Sequence, residues 1–276
     1  MLRRGRPVKI GVTAIMALGA MAMVGTSAAT ARAGQQSTVP TGNDISYPQC
    51  SHAFPTGQAF GIVAVNEGVA NITNSCLAAE MTWARASSGA TRQPKVSLYV
   101  NTADPGRAAA GDWPANDTDP VTGKHVRDPY GTCSGQDNAA CAWQYGWNMA
   151  DADARTRGVP GPGHYRWWLD VETVNSWKLS AQDNRADLEG MATYFRGIGG
   201  AVGIYSTMKQ WGPLTGTIRP ASPLYRLPDW LAGAKTLAQA ERNCRLAPLT
   251  GGGTVAVTQW AALPANRDFA CPPPPR

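Results

Sequence analysis

Histidine is scarce in this chain: there are three in 276 residues, His52, His125 and His164, with no shared spacing. That scarcity, together with the absence of any C-x-x-C pair, sets aside a zinc centre. A serine hydrolase is set aside on similar grounds, because there is no G-x-S-x-G elbow and little choice of base. There is no G-x-G-x-x-G and no Walker sequence, and Gly251-Gly252-Gly253 precedes a strand-like run instead of following one. The expectation is no cofactor and no metal.

Surplus charge is also short once the start of the chain is considered. Arg3, Arg4, Arg6 and Lys9 precede an apolar run from Ile10 to Val24, and Ala31-Arg32-Ala33 follows as an A-x-A cleavage site. Residues 1–33 therefore read as a secretory signal peptide; Arg3-Arg4 also fits twin-arginine export. An uncleaved anchor fits less well, because the run is shorter than the roughly 20 residues a spanning helix needs. The leader carries five basic groups and no acid, so only +1 of the formal +6 remains after cleavage. A nucleic-acid partner loses its support, and no later stretch is apolar enough to span a membrane. A secreted, extracellular monomer is expected.

What the mature region does contain is an even number of cysteines: Cys50, Cys76, Cys133, Cys141, Cys244 and Cys271. In an exported chain these read as three disulfides. Sequence leaves the connectivity open, and nearest-neighbour pairing, Cys50 with Cys76, Cys133 with Cys141 and Cys244 with Cys271, is the simplest expectation.

Strand-like runs fall at 43–46, 60–65, 95–101, 164–172, 201–206, 224–231 and 254–260, with helical stretches at 75–86, 140–157, 183–198 and 236–244. Such alternation predicts a parallel sheet in an α/β fold, and continuous apolar strands predict one covered on both faces. Polar groups recur at strand ends: Asp44, Glu67, Asn101, Glu172, Ser206 and Gln259. That distribution favours a closed TIM-like barrel, whose sites gather at one mouth. The expected organisation is one barrel domain over 34–271, a loop excursion over 103–141 and a Pro-rich tail over 272–276. No strand can be placed between Gly233 and Gly253.

The most informative segment is His164-Tyr165-Arg166-Trp167-Trp168-Leu169-Asp170-Val171-Glu172. Strand alternation puts Trp168, Asp170 and Glu172 on one face. Two carboxyls at one strand end can divide their labour, one protonated and one ionised, which is what cleaving a glycosidic bond needs. The plain alternative is a pair of solvated acids, or partners for Arg166 and Arg155. Asp268, beside Arg267, has the plain alternative of an exposed ion pair, while its place shortly after Gln259-Trp260 favours a site role.

Several short motifs, taken in order, resemble the family-25 glycoside hydrolases, lysozyme-type muramidases that cleave peptidoglycan. Gly42-Asn43-Asp44-Ile45-Ser46 with Gln49 is similar to that family's opening, Phe60 to Gly68 to its second strand, and Leu169-Asp170-Val171-Glu172 to its D-x-E. Gly203-Ile204-Tyr205-Ser206, Asp229-Trp230-Leu231-Ala232 and Gln259-Trp260 with Asp268 are similar to later pieces. The resemblance implies an irregular (β/α)5(β)3 barrel acting on a β-1,4-linked N-acetylated glycan. It makes Glu172 the general acid and gives Asp170 the substrate acetamido group or the charged intermediate. Asp44 and Asp268 would tune the site and bind sugar. Tyr205 and Trp260 are stacking candidates, Gln259, Glu67 and Asn101 further sugar-binding candidates, and Trp168 either part of the site or barrel filling. The third strand departs from the family at Tyr99 to Gly106, and Asn66 stands where lysine is common. The competing expectation is therefore a secreted carbohydrate- or wall-binding protein that keeps the barrel without turnover.

Overall fold

The computed structural model describes residues 39–273, so the leader reading and the last residues of the Pro-rich tail lie outside the described residues. Eight strands close into a barrel in sequence order: β1 (Thr41–Ile45), β2 (Gly61–Ala64), β3 (Val96–Asn101), β4 (Arg166–Asp170), β5 (Ala201–Ser206), β6 (Pro228–Ala234), β7 (Thr254–Trp260) and β8 (Arg267–Ala270). Pairing from β1 through β7 is parallel, whereas β8 runs antiparallel to both β7 and β1. The helices α1 (Leu77–Arg85), α2 (Ala139–Arg155), α3 (Ala181–Gly197), α4 (Trp211–Thr215) and α5 (Leu237–Asn243) follow β2 to β6 one by one. The α/β barrel with five β/α units is thus the observed architecture, with β1, β7 and β8 completing it.

The strand expected at 224–231 begins only at Pro228. Leu224 and Leu227 are buried in the helix-side core, and Arg226 between them has φ 64°, a left-handed turn that no strand contains. Two elements escape periodicity altogether. The helix α4 is five residues long, and β8 is Arg-Asp-Phe-Ala, too short to show alternation. No strand lies between 235 and 253, as expected; the missing one comes later and runs backwards.

Alternation on β4 is as the sequence implies. Trp167 faces outward and stacks on Phe195 of α3 at 4.2 Å, with an interplanar angle of 15°. Trp168 faces inward, fully buried with Phe60, Ile62, Trp230 and Val257. It fills the barrel below the mouth. Two glycines make room for this filling: a Cβ at Gly203 would lie 2.3 Å from the Trp168 ring, and one at Gly42 would lie 2.4 Å from Phe60. The floor is thereby sealed by aromatic rings and the polar groups stay at the C-terminal strand ends.

The cysteines pair as Cys50–Cys76, Cys133–Cys141 and Cys244–Cys271. The second bridge ties the end of the long connection between β3 and α2 to the first turn of α2. Another anchor of this connection is Lys178, whose ammonium contacts Asp137 and, at 2.7 Å, Asp183, and lies 5.4 Å over the Trp113 ring. The excursion is therefore fastened to the loop that follows β4.

Candidate active site

A cavity of about 150 Å³ at the barrel mouth is lined by Asp44, Tyr99, Asp170, Glu172, Tyr205, Trp230, Gln259 and Asn266. Five sequence-expected residues, Asp44, Asp170, Glu172, Tyr205 and Gln259, meet there. Asp170 is the last residue of β4, and Glu172 lies two residues beyond it, half-buried at the rim. The loop fixes Glu172 through its backbone, since its carbonyl accepts from Trp177 Nε1 at 2.7 Å and from Asn175 N at 3.1 Å.

A chain of hydrogen bonds orders one wall. Tyr205 Oη donates to Gln259 Oε1 at 3.0 Å, and Gln259 Nε2 donates to Asp44 Oδ2 at 2.9 Å. Asn266 Nδ2 reaches Asp44 Oδ1 at 3.4 Å. Asp268 pairs with Gly42 across β8 and β1, one inward layer below Asp44. It accepts from Trp230 Nε1 at 2.8 Å and is fully buried. The Asp44 and Asp268 carboxyls also act on each other, which lowers Asp44 and raises Asp268.

The basic residues expected as plain partners are engaged elsewhere. Arg155 bonds Asp151 at 2.8 Å and Tyr194. Arg166 bonds Gln93 and lies over the inner Trp168 ring at 5.4 Å. Arg267 donates to Thr41 and stacks on Trp260. Asp170, Glu172 and Asp268 thus have no ion pair with these arginines. Burial, then the charges of Glu172 and Asp44, hold Asp170 well above the ordinary carboxylate range. Burial, then the charge of Asp44, raises Asp268 well above it as well. Burial raises Glu172, with the charge of Asp44 adding to it. Asp44 is pushed up to about 6 by burial, against the hydrogen bonds of Gln259, Asn266 and Asp268. With so many acids and so little compensation, the cluster retains protons near neutrality.

This has a consequence for stability. A raised folded-state pKa contributes stability that is complete below the unfolded value, near 4, and is lost as pH rises through the folded value. For Asp44 that window runs from about 4 to about 6, with a loss of about 3 kcal/mol across it; Asp170 and Asp268, held well above the ordinary carboxylate range, add to the loss in the same direction. The melting temperature is expected to be several degrees higher at pH 5 than at pH 8, and Asp268→Asn to flatten the difference. A scan with equal or higher stability at pH 8 would contradict the buried-proton picture.

Four expected residues do not line the cavity: Asp268, fully buried one layer below Asp44, and Glu67, Asn101 and Trp260. Glu67 sits in the loop after β2, where its carboxylate accepts from Ser75 Oγ at 3.3 Å. Asn101 ends β3 beside Asp170 in register, but its backbone N and its Nδ2 both bond Asn66 Oδ1, at 2.8 and 3.1 Å. Its amide is a strut between β2 and β3. Trp260 faces outward, packed with Ala234, Leu237, Ala240 and Phe269 beneath α5. The strand-end Ser206 also turns outward, donating to the Val171 carbonyl at 2.6 Å.

Sequence reasoning missed Tyr99, Trp230 and Asn266. Tyr99 lies two residues before Asn101 on the same face of β3, so alternation could have found it. Trp230 is an inward residue of β6, its ring centroid 4.3 Å from that of Tyr205 and 6.0 Å from that of Tyr99. Asn266 precedes β8 in a loop and carries no periodic signal.

No family model matches the chain, and no curated protein sequence matches it. Solved structures do. A muramidase from Trichobolus zukalii superposes with a TM-score of 0.52 at 18% identity, covering 85% of this chain and 94% of that one. A family GH25 lysozyme from Aspergillus fumigatus gives 0.51 at 17% identity over 86% and 96%. The bacterial lysozyme from Streptomyces coelicolor gives 0.50 at 15% identity over 85% and 93%. At these identities the likeness concerns architecture, and on that ground the chain has the fold of the family-25 glycoside hydrolases.

Proposed function

We propose that the protein is a secreted glycoside hydrolase that cleaves β-1,4-linked N-acetylated glycan, with bacterial peptidoglycan as the substrate class. The observation that carries the reading is the group of three raised-pKa carboxyls, Asp44, Asp170 and Glu172, at a barrel mouth walled by Tyr99, Tyr205 and Trp230, with a fourth, Asp268, buried beneath Asp44. The superposed structures bear the names lysozyme and muramidase, and the disulfides fit an exported chain. Among the described residues no helix is long and apolar enough to cross a membrane.

Glu172 is the proton donor in this reading. It stands at the rim, where its carboxyl can meet both the glycosidic oxygen and water, and burial shifts it toward the protonated form. Asp170 lies deeper, and its Oδ1 has no hydrogen-bond partner. As the glycosidic bond breaks, positive charge grows on the sugar ring and favours the ionised form of Asp170, whose proton passes to the neighbouring Glu172 carboxylate, which has just given its own to the glycosidic oxygen. The oxygen left open on Asp170 is free to face the ring or its acetamido N–H. Asp44 is held by Gln259 and Asn266 as a fixed acceptor for sugar hydroxyls, and the rings of Tyr99, Tyr205 and Trp230 supply apolar faces.

The test is release of new reducing ends from purified peptidoglycan by the mature protein. Release is the expected outcome. Binding to several wall types without release would overturn hydrolysis and leave the carbohydrate-binding reading.

A further inference from the structure

A second group of reactive side chains lies outside the mouth, where the β1–β2 connection meets α1. Cys50 is exposed and Cys76 half-buried, and a carboxylate oxygen of Glu80 lies with both sulfurs inside a 4.8 Å cluster. Glu80 is fully buried. Its Oε2 accepts from Asn74 Nδ2 at 2.6 Å, while Oε1 has no partner. Asn74 Oδ1 in turn accepts from the backbone N of Cys76 at 3.0 Å, fixing that residue as the N-cap of the nine-residue α1. Burial pushes Glu80 up to about 7, opposed by Asn74. The other bridges differ: Cys133 and Cys141 are both buried, and Cys271 is buried beside a half-buried Cys244.

We propose that Cys50–Cys76 is a thiol–disulfide exchange site for an external dithiol, with Glu80 as the proton donor to the Cys76 sulfur. A thiolate of the dithiol attacks the exposed Cys50 Sγ, and the S–S bond breaks with its electron pair leaving on Cys76 Sγ. That thiolate forms at the positive end of the α1 dipole, which stabilises it, and takes the Glu80 proton; Glu80 recovers a proton from solvent. The second thiol of the reductant, as thiolate, attacks its own sulfur in the mixed disulfide and releases Cys50, which is protonated by water. The protein disulfide is reduced to two thiols and the dithiol is oxidised to its disulfide. Opening the bond frees the Tyr47–Gln49 turn, which directly follows Asp44-Ile45-Ser46.

Other titratable groups around Glu80 are Tyr99 of β3, whose hydroxyl feels the Glu80 charge, and Glu67, which reaches the cluster through Ser75. Arg157 bonds Thr73, next to Asn74, and pairs at 2.6 Å with Asp153, whose carboxyl burial pushes up to about 7 against the pull of Arg157. Tyr99 is pushed far above neutrality, so it does not titrate in the range where Glu80 does.

The experiment treats the mature, three-disulfide protein with dithiothreitol under native conditions, quenches with acid, alkylates, and maps labelled cysteines over pH 5.5–8.5. Cys50 and Cys76 are expected to be labelled about 10-fold or more faster than the other four cysteines. The rate divided by dithiothreitol thiolate concentration should fall as pH passes about 7, where Glu80 loses its proton. In Glu80→Gln the normalised rate should be several-fold lower at pH 6 and flat with pH. Opening no faster than the other bridges, or a wild-type normalised rate that is flat with pH, overturns the proposal. Those two readouts need only the wild-type protein, so they decide the matter even if Glu80→Gln does not fold.

Discussion

Glu172→Gln is expected to reduce reducing-end release from peptidoglycan by about 10²–10⁴-fold, the usual worth of a positioned general acid. The substitution keeps the size of the side chain and removes its proton. Because Glu172 is half-buried at the rim and its fixed atoms are backbone, held by Trp177 and Asn175, the fold should be undisturbed, and glycan binding measured by pull-down should persist. The same proton sets the pH dependence. Wild-type activity should decline as pH rises through the raised pKa of Glu172, and the residual activity of Glu172→Gln should lack that limb. Substantial activity in Glu172→Gln with an unchanged alkaline limb would move the donor role to Asp170, which is pushed higher and lies deeper.

The largest structural effect is expected from Gly146→Ala. In an isolated helix this change stabilises by about 1 kcal/mol. Here the added Cβ would lie 1.9 Å from the Asp187 carbonyl oxygen on α3, and the reciprocal Gly190 would place one 2.0 Å from the Trp143 carbonyl oxygen on α2. Both obstacles are backbone, so the helices themselves must part, and the surrounding layer of Tyr145, Leu188 and Met191 would lose its packing. Overpacking of this kind costs about 1–3 kcal/mol. For a domain of this size a 2 kcal/mol loss lowers Tm by about 4–8 °C. Urea denaturation of Gly146→Ala should show a lower midpoint, whereas a gain in stability would mean that α2 and α3 do not approach so closely in solution.

The Asp170 and Glu172 face was legible because the sequence itself carries the period-2 pattern: Trp167, Leu169 and Val171 face the helices, and Trp168 and Asp170 face the interior. Tyr205 and Gln259 follow the same logic at the ends of β5 and β7. Trp260 misled because it is adjacent to Gln259, and adjacency on a strand means opposite faces. Glu67 and Asn101 are at strand ends, but hydrogen bonds to Ser75 and Asn66 use their polar groups within the protein.

The sequence by itself determined the alternation of strands and helices, the inward face of β4 and the set of cysteines available for bridging. These are local properties, set by side-chain periodicity and residue type. Tertiary structure alone decided the rest. The reversed β8 is four residues long and gains its identity from pairing with β7 and β1, which brings Asp268 to Asp44 across 224 positions of sequence. Tyr99, Trp230 and Asn266 join the site for the same reason: the closed barrel places them around one cavity. The raised carboxyls are the clearest case, since an aspartate's residue type implies an ionised group, and only burial beside other acids, with the nearby arginines engaged elsewhere, holds Asp170 and Asp268 well above the ordinary carboxylate range.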